Sequence, residues 1–118
     1  MLLKNWTFIA NPISGRGKAL KILPQLVESL RTSGIQASVE WTTGAGHAET
    51  IASSAVGNGI DSIIACGGDG TIHEIVNGIM KSQRNDSVNL GIIPLGRCND
   101  FASTFQIPKN PPEIIRYL

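Results

Sequence analysis

The chain has 118 residues, of which 42% are hydrophobic, 16% charged and 5% aromatic, and its formal net charge is +1. This length allows one domain with a core but not two, and the composition is that of a soluble globular protein. The lack of a basic excess and the scarcity of aromatic residues exclude an ordinary nucleic-acid-binding surface.

The sequence predicts neither a signal peptide nor a membrane-spanning segment. No apolar run approaches ~18 residues, and the first residues do not form a signal peptide. Cys66 and Cys98 lack the spacing of a metal site, which favours a reduced cytoplasmic protein. We expect a cytoplasmic location, with peripheral membrane association and homo-oligomerisation left open.

Strand-like and helical segments alternate along the chain. Strands are predicted at Trp6–Ala10, Ile35–Trp41, Ile63–Cys66 and Leu90–Ile93, and helices near 16–32, 46–57 and 71–82. The alternation predicts an α/β domain with a three-layer, open and mainly parallel sheet. The second strand alternates apolar and polar residues, which favours a position nearer a sheet edge.

Three local features refine this outline. Pro24 predicts a kink or a restart in the first helix, and Gly34 is expected to cap its C-terminus. The residues after Pro112 begin a helix that stops after about two turns without a cap. We therefore expect the chain to be a fragment of a longer protein.

The most informative motif follows the third strand. Gly67-Gly68-Asp69-Gly70-Thr71 lies between this buried strand and an amphipathic helix, an arrangement that often binds phosphate at the helix N-terminus. The glycines are expected to allow close backbone approach, with a positive φ at Gly68 or Gly70. Thr71 and Glu74 have capping-box spacing, which predicts the helix start.

Asp69 distinguishes this loop from a simple phosphate cradle. A carboxylate beside a phosphate holds a metal, takes a proton from a nucleophile or contacts a sugar hydroxyl, and this favours phosphoryl transfer. The dinucleotide fingerprint fails because His73 replaces its third glycine. A Walker A motif with Gly17-Lys18 as its Gly-Lys pair fails as well. Pro12 stands where its first glycine is required, and Ala19 stands where Ser or Thr is required.

Each predicted strand is followed by a loop rich in Gly, Asn, Ser, Thr or charge. Because the carboxyl ends of parallel strands share one edge, these four loops predict a nucleotide or polyphosphate site. The loops are 11–18, 42–47, 67–71 and 94–101.

Several residues in these loops keep structural alternatives. Arg16 and Lys18 alone would be solvated, but neighbouring glycines favour phosphate contact. His47 is interpreted as a first-turn helix residue, and His73 stays open between packing and substrate contact. Asp100 is open between a helix N-cap and a role in the site.

Three motifs in order resemble the diacylglycerol kinase catalytic-domain family, which includes bacterial lipid kinases and the sphingosine and ceramide kinases. They are Asn11-Pro12-x-Ser14-Gly15, the segment from Gly67 to Gly78, and Ile93-Pro94-Leu95-Gly96-x-x-Asn99-Asp100-Phe101-Ala102. The resemblance covers nearly the whole chain. The Gly-Gly-Asp-Gly-Thr motif alone is shared with NAD kinases and phosphofructokinases.

The resemblance implies an ATP-dependent lipid kinase that uses Mg²⁺ and meets its lipid substrate at a membrane surface. Residues 1–118 would be its nucleotide-binding N-terminal domain, similar in fold to phosphofructokinase and NAD kinase, without the β domain that completes the lipid site. Asp69 and Asp100 are implied near the reaction centre, and no metal ligand is assigned. The implied ATP contacts are Asn11, Pro12, Ile13, Ser14, Gly15, Thr42, Gly67, Gly68, Asp69, Gly70, Thr71, Ile72 and His73, to which we add Arg16 and Arg97.

The chain departs from the family pattern after Gly96. Arg97 and Cys98 stand where the family usually has Thr and a small residue, so Arg97 either pairs with a phosphate or fills the pocket. Two other functions are weighed against a lipid kinase. One is an NAD kinase-like enzyme, and the other is a nucleotide-binding module that is inactive without its second domain.

Overall fold

The computed structural model describes residues 4–82 and 88–94. The strands are β1 (Asn5–Ala10), β2 (Gln36–Trp41), β3 (Ser62–Gly67) and β4 (Asn89–Pro94), and the helices are α1 (Lys18–Thr32), α2 (His47–Gly57) and α3 (Asp69–Met80). A short 3₁₀ segment, Ser14–Gly17, precedes α1. Within these residues, no helix is long and apolar enough to cross a membrane.

The four strands form one parallel sheet in the order β2-β1-β3-β4. Ala10 pairs with Trp41 on one side and with Cys66 on the other, so β1, β2 and β3 end at the same level. Gly67 is paired with Pro94, which brings β4 to that edge as well. The predicted parallel sheet is confirmed, and β2 lies at its edge as the alternating sequence indicated. We call the edge where these strands end the carboxyl edge.

Helices cover both faces of the sheet. Phe8 and Ile64 face α1, whereas Ile9 and Ile63 face α2 and α3, because successive side chains of a strand point to opposite faces. Near-continuous apolar strands such as β3 are expected when both faces are buried. The predicted three-layer α/β architecture is confirmed.

The first helix does not restart at Pro24. It runs unbroken from Lys18 to Thr32, although Pro24 donates no backbone N–H and disfavours the preceding turn. Pro24 is exposed, so its ring displaces no core side chain. Leucines on both sides of Pro24, including Leu23 and Leu26, are fully buried and hold the helix on the sheet.

The predicted cap at Gly34 is confirmed. Gly34 has φ +86°, its N–H donates to the Arg31 carbonyl at 3.0 Å, and the Ile35 N–H donates to the Leu30 carbonyl at 3.0 Å. This pair of bonds is a Schellman motif, which satisfies the last helical carbonyls. Ile35 then packs against the core cluster that contains Leu30. The turn therefore directs the chain into β2.

Candidate functional site

A crevice is expected between the ends of β1 and β3. These strands are neighbours, but β1 leads to α1 on one face of the sheet and β3 leads to α3 on the other. The loops therefore diverge at this point, and open α/β sheets bind ligands at such a switch in strand order. The two most informative sequence motifs occupy these two loops.

Asn11 organises the loop that follows β1. Its backbone N–H donates to the Cys66 carbonyl at 3.4 Å, and its side-chain Oδ1 accepts from the Ile13 N–H at 3.0 Å. The Ser14 N–H donates to the Asn11 carbonyl at 3.1 Å. The Asn-Pro-x-Ser sequence thus folds into a turn tied to the end of β3.

The next three residues share a left-handed backbone. Gly15, Arg16 and Gly17 have φ of 60°, 59° and 84°, and among the described residues Arg16 alone combines a side chain with positive φ. This conformation costs an L-residue about 1–2 kcal/mol. Arg16 and Lys18 are both exposed.

Gly67 is the point where the two loops meet. A Cβ atom at Gly67 would lie 3.2 Å from Ser14 Oγ, 3.1 Å from Thr71 Cβ and 3.2 Å from Thr71 Oγ1. The absence of a side chain therefore lets a hydroxyl from each loop approach the end of β3. The sequence motifs predicted all three residues, and the fold brings them together.

The start of α3 corrects two predictions. The helix begins at Asp69, with Gly68 as N-cap and no side-chain hydrogen bond to the cap, so the predicted capping box at Thr71 and Glu74 is wrong. The Ile72 N–H donates to the Gly68 carbonyl at 3.1 Å, which already closes the first helical turn. The helix starts early because extended Gly68 follows β3 directly.

The second correction concerns φ. Gly68 has φ −90°, and Gly70, inside the first turn of α3, is not among the residues with positive φ. The constraint falls instead on Gly67, which has φ +159° and little space for a Cβ atom. A Cβ atom at Gly70 would meet no protein atom within 4 Å. The first N–H groups of α3 lack helical acceptors.

The remaining predicted contacts differ in exposure. Asp69, His73 and Ile13 are exposed, which excludes the packing interpretation of His73. Ile72 is buried in the core, so it can offer only its backbone to a ligand. Pro12 is half-buried. Arg97 and Asp100 lie outside the described residues, and their predicted roles stay predictions.

Thr42 links the loop after β2 to the same edge. It is buried, and its N–H donates to the Ala10 carbonyl at 2.8 Å. An interaction of the neighbouring residue was not predicted from the sequence: His47 Nδ1 accepts from the Thr43 N–H at 2.9 Å and lies 3.1 Å from Thr43 Oγ1. The signal was a Thr and a His four residues apart with only Gly and Ala between them.

Residues 4–82 and 88–94 contain no group of three or more His, Cys, Asp or Glu side chains arranged to hold a metal. Asp69 can supply one carboxylate oxygen. Mg²⁺ in nucleotide sites commonly takes one or two carboxylates and completes its shell with phosphates and water. The described residues therefore fit a magnesium ion that enters with a nucleotide.

Comparison with known proteins identifies the family. Residues 5–118 match the model of the diacylglycerol kinase catalytic domain. A diacylglycerol kinase of Bacillus subtilis is 41% identical over 107 residues, which cover 91% of this chain and 35% of the relative. A "Probable lipid kinase YegS-like" of Xanthomonas oryzae pv. oryzae is 35% identical over 113 residues, 94% of this chain and 36% of the relative.

Solved structures agree. The crystal structure of a diacylglycerol kinase from Bacillus anthracis str. Sterne superposes with a TM-score of 0.78 at 31% identity and covers 97% of this chain and 41% of that one. The chain spans about a third of the length of the curated relatives it matches. The match to the family model over almost the entire chain, together with the shared fold, shows that this chain belongs to the diacylglycerol kinase catalytic-domain family of lipid kinases.

Proposed function

We propose that this chain is the ATP-binding part of a lipid kinase that transfers the γ-phosphate of ATP to a hydroxyl of diacylglycerol or a related lipid. The observation that carries the proposal is the junction at Gly67, where Ser14 and Thr71 approach from the two loops at the carboxyl edge. Residues 1–118 would form the nucleotide-binding domain. The lipid site would be completed by chain beyond it, in keeping with the larger size of the relatives.

In this proposal the phosphates lie against the first turn of α3 and the Ser14–Gly17 segment. Unpaired N–H groups and the helix dipole favour an anion at the start of α3. Exposed Arg16 adds positive charge from the other loop. Mg²⁺, held by phosphate oxygens, would supply charge neutralisation.

Asp69 is proposed to act at the reaction centre. A lipid hydroxyl oxygen forms a bond to the γ-phosphorus, the bond from phosphorus to the bridging oxygen breaks, and ADP leaves. The hydroxyl proton passes to the Asp69 carboxylate, which is exposed and free to meet a substrate. Asp100 is proposed near this carboxylate on the strength of the family motif.

ATP titration of two glycine variants tests the nucleotide site. Gly70→Ala places a methyl group where the protein leaves open space, so the fold should persist while ATP affinity falls at least tenfold. Gly57→Ala is the matched control. A Cβ atom at Gly57 would also meet no protein atom within 4 Å, but Gly57 is the last residue of α2 and lies near the start of β3. Calorimetry should show unchanged ATP binding in Gly57→Ala. Equal affinities in folded variants would refute phosphate binding at the start of α3.

Product analysis separates the proposed enzyme from its alternatives. Labelled ATP is supplied with diacylglycerol in micelles or with NAD, using the protein at its natural length and this 118-residue chain. Label in the lipid supports the proposal, and label in NAD supports the NAD kinase alternative. Binding without transfer by the 118-residue chain alone would identify it as a module that depends on further sequence, in line with its third of the relatives' length.

A further inference from the structure

The loop between β2 and α2, residues 42–46, lies at the carboxyl edge beside the proposed nucleotide site. Its first residue, Thr42, extends the pairing of β1 and β2 through the 2.8 Å bond to the Ala10 carbonyl. Ala10 is followed by Asn11, which begins the loop that carries Ser14. Residues 43–46 therefore leave the sheet at the carboxyl edge, next to that loop.

Residues 43–46 have few side-chain groups that could fix the conformation of this segment. All four are exposed, and Gly44, Ala45 and Gly46 offer no side chain beyond one methyl group. Gly46 has φ +82° and serves as the N-cap of α2 without a side-chain hydrogen bond. Such a glycine-rich segment loses more conformational entropy on ordering than most others.

His47 restrains this segment from both its ring and its backbone. The Thr43 N–H donates to His47 Nδ1 at 2.9 Å, and the His47 N–H donates to the Gly44 carbonyl at 3.2 Å. A backbone amide can only donate, so Nδ1 must carry a lone pair and the ring hydrogen must sit on Nε2. His47 is half-buried at the start of α2, so its hydrogen bonds tie the loop to this helix.

We propose that His47 is a positioning residue that holds residues 43–46 in the shape that receives the nucleotide, an inference that rests on the function proposed above. Because the loop is ordered before ATP binds, binding does not carry the entropic cost of ordering it. Loss of the restraint should appear in nucleotide affinity and leave the transfer step intact.

Three substitutions at one position test this role in the protein at its natural length. His47→Ala removes the acceptor and should raise the Kd and KM for ATP about threefold to tenfold, the scale of one or two hydrogen bonds, with kcat within twofold. His47→Asn puts Oδ1 where Nδ1 was and should restore affinity to within twofold of the wild type. His47→Gln carries its polar atoms at the position of Nε2 and should behave like the Ala variant.

Nitrogen NMR of the ring gives a second readout. We expect Nδ1 without hydrogen, Nε2 with hydrogen and slow exchange of the Thr43 amide that is lost in His47→Ala. A hydrogen on Nδ1 would overturn the proposal. If His47→Ala does not fold, tighter ATP binding by the Asn variant than by the Gln variant supports it, and equal affinities or the reverse order overturn it.

The controls separate the role of His47 from the function of the domain. A wild-type protein that does not bind ATP would refute the proposed function, and this inference with it. A wild-type protein that binds ATP while folded His47→Ala binds equally well would refute the role of His47 alone. A fall in kcat at unchanged Kd would also refute it, since a positioning role predicts the opposite pattern.

Discussion

Asp69 gains an additional interpretation from the structure. The sequence placed it in the middle of a glycine turn, but it is the first residue of α3 and is exposed. An acidic side chain in a first helical turn interacts favourably with the helix dipole, typically by about 0.3–1 kcal/mol. If the role of Asp69 is purely structural, its substitution should therefore lower stability slightly and leave catalysis unchanged.

Substitution of Asp69 distinguishes these roles. In the protein at its natural length, Asp69→Asn should lower kcat by roughly 100-fold or more, the usual scale for losing a general base. ATP binding should survive, and the free energy of unfolding should fall by no more than about 1 kcal/mol. Lipid phosphorylation with labelled ATP and a thermal melt measure the two effects.

Glu74→Gln is a suitable control for Asp69→Asn. Glu74 is also a carboxylate of α3 but lies five residues further along the helix and is half-buried. Its substitution should leave kcat within a few-fold of the wild type. Near-normal turnover in Asp69→Asn would remove Asp69 from the mechanism and leave it as a helix-terminal acid.

The sequence predicted which residues come together at the carboxyl edge where a motif constrained the backbone. Ser14, Gly67 and Thr71 belong to two motifs far apart in the chain, and they meet because β1 and β3 are neighbours in the sheet. The bond from Thr43 to His47 was not predicted, because it depends on the path of a loop with two glycines. Residue type alone does not determine that path.

At the scale of elements, the contact between α2 and α3 depends on Gly78. A Cβ atom there would lie 2.4 Å from the Glu49 carbonyl oxygen and 2.9 Å from Ala52 Cβ. The carbonyl belongs to the backbone of α2 and cannot rotate away as a side chain can. The two helices therefore approach closely only because this position lacks a side chain.

Gly78→Ala should destabilise the fold by about 1–3 kcal/mol, the usual cost of overpacking, even though Ala is the better helix former by up to about 1 kcal/mol. Urea or thermal unfolding measures this change. Gly57→Ala, a helix glycine with open space around it, should be neutral or slightly stabilising. Equal stability of the two variants would show that α2 and α3 separate easily.

Within residues 4–82 and 88–94, the strands and helices were predictable to within two residues, and the errors have physical causes. The helix predicted after Pro112 lies outside these residues. The capping-box pattern at Thr71 suggested a later start for α3, but the glycine turn lets the helix begin at Asp69. Pro24 suggested a restart in α1, but burial of the leucine stripe outweighs one missing hydrogen bond. At α3 one local signal outweighed another, and in α1 packing against the sheet decided the outcome.

At the scale of the whole molecule, the burial of Cys66 in the sheet makes the stability of the fold depend on pH. It lies in β3 within the cluster that faces α1, and burial raises the pKa of its thiol. The unfolded thiol ionises above about pH 8.5, whereas the folded one stays protonated. The folded state then binds more protons than the unfolded state, so stability is retained below this pH and lost as the pH rises.

We expect the wild type to lose up to about 1.4 kcal/mol of unfolding free energy per pH unit above pH 9 through this thiol. Cys66→Ala removes the titrating group and should flatten the pH dependence, whatever its stability at pH 7. Urea unfolding at pH 7, 9 and 10 measures the difference in slope. Parallel curves for the two proteins would mean that the thiol ionises without unfolding the sheet.

The strand order has a consequence for synthesis on the ribosome. β1 is made first and lies inside the sheet, yet its partners β2 and β3 begin 31 and 57 residues later, at Gln36 and Ser62 against Asn5. At roughly 5–20 residues per second, its apolar side chains and unpaired backbone groups wait several seconds until both neighbours have been synthesised. The central strand β1 is therefore synthesised before either of the strands that pair with it.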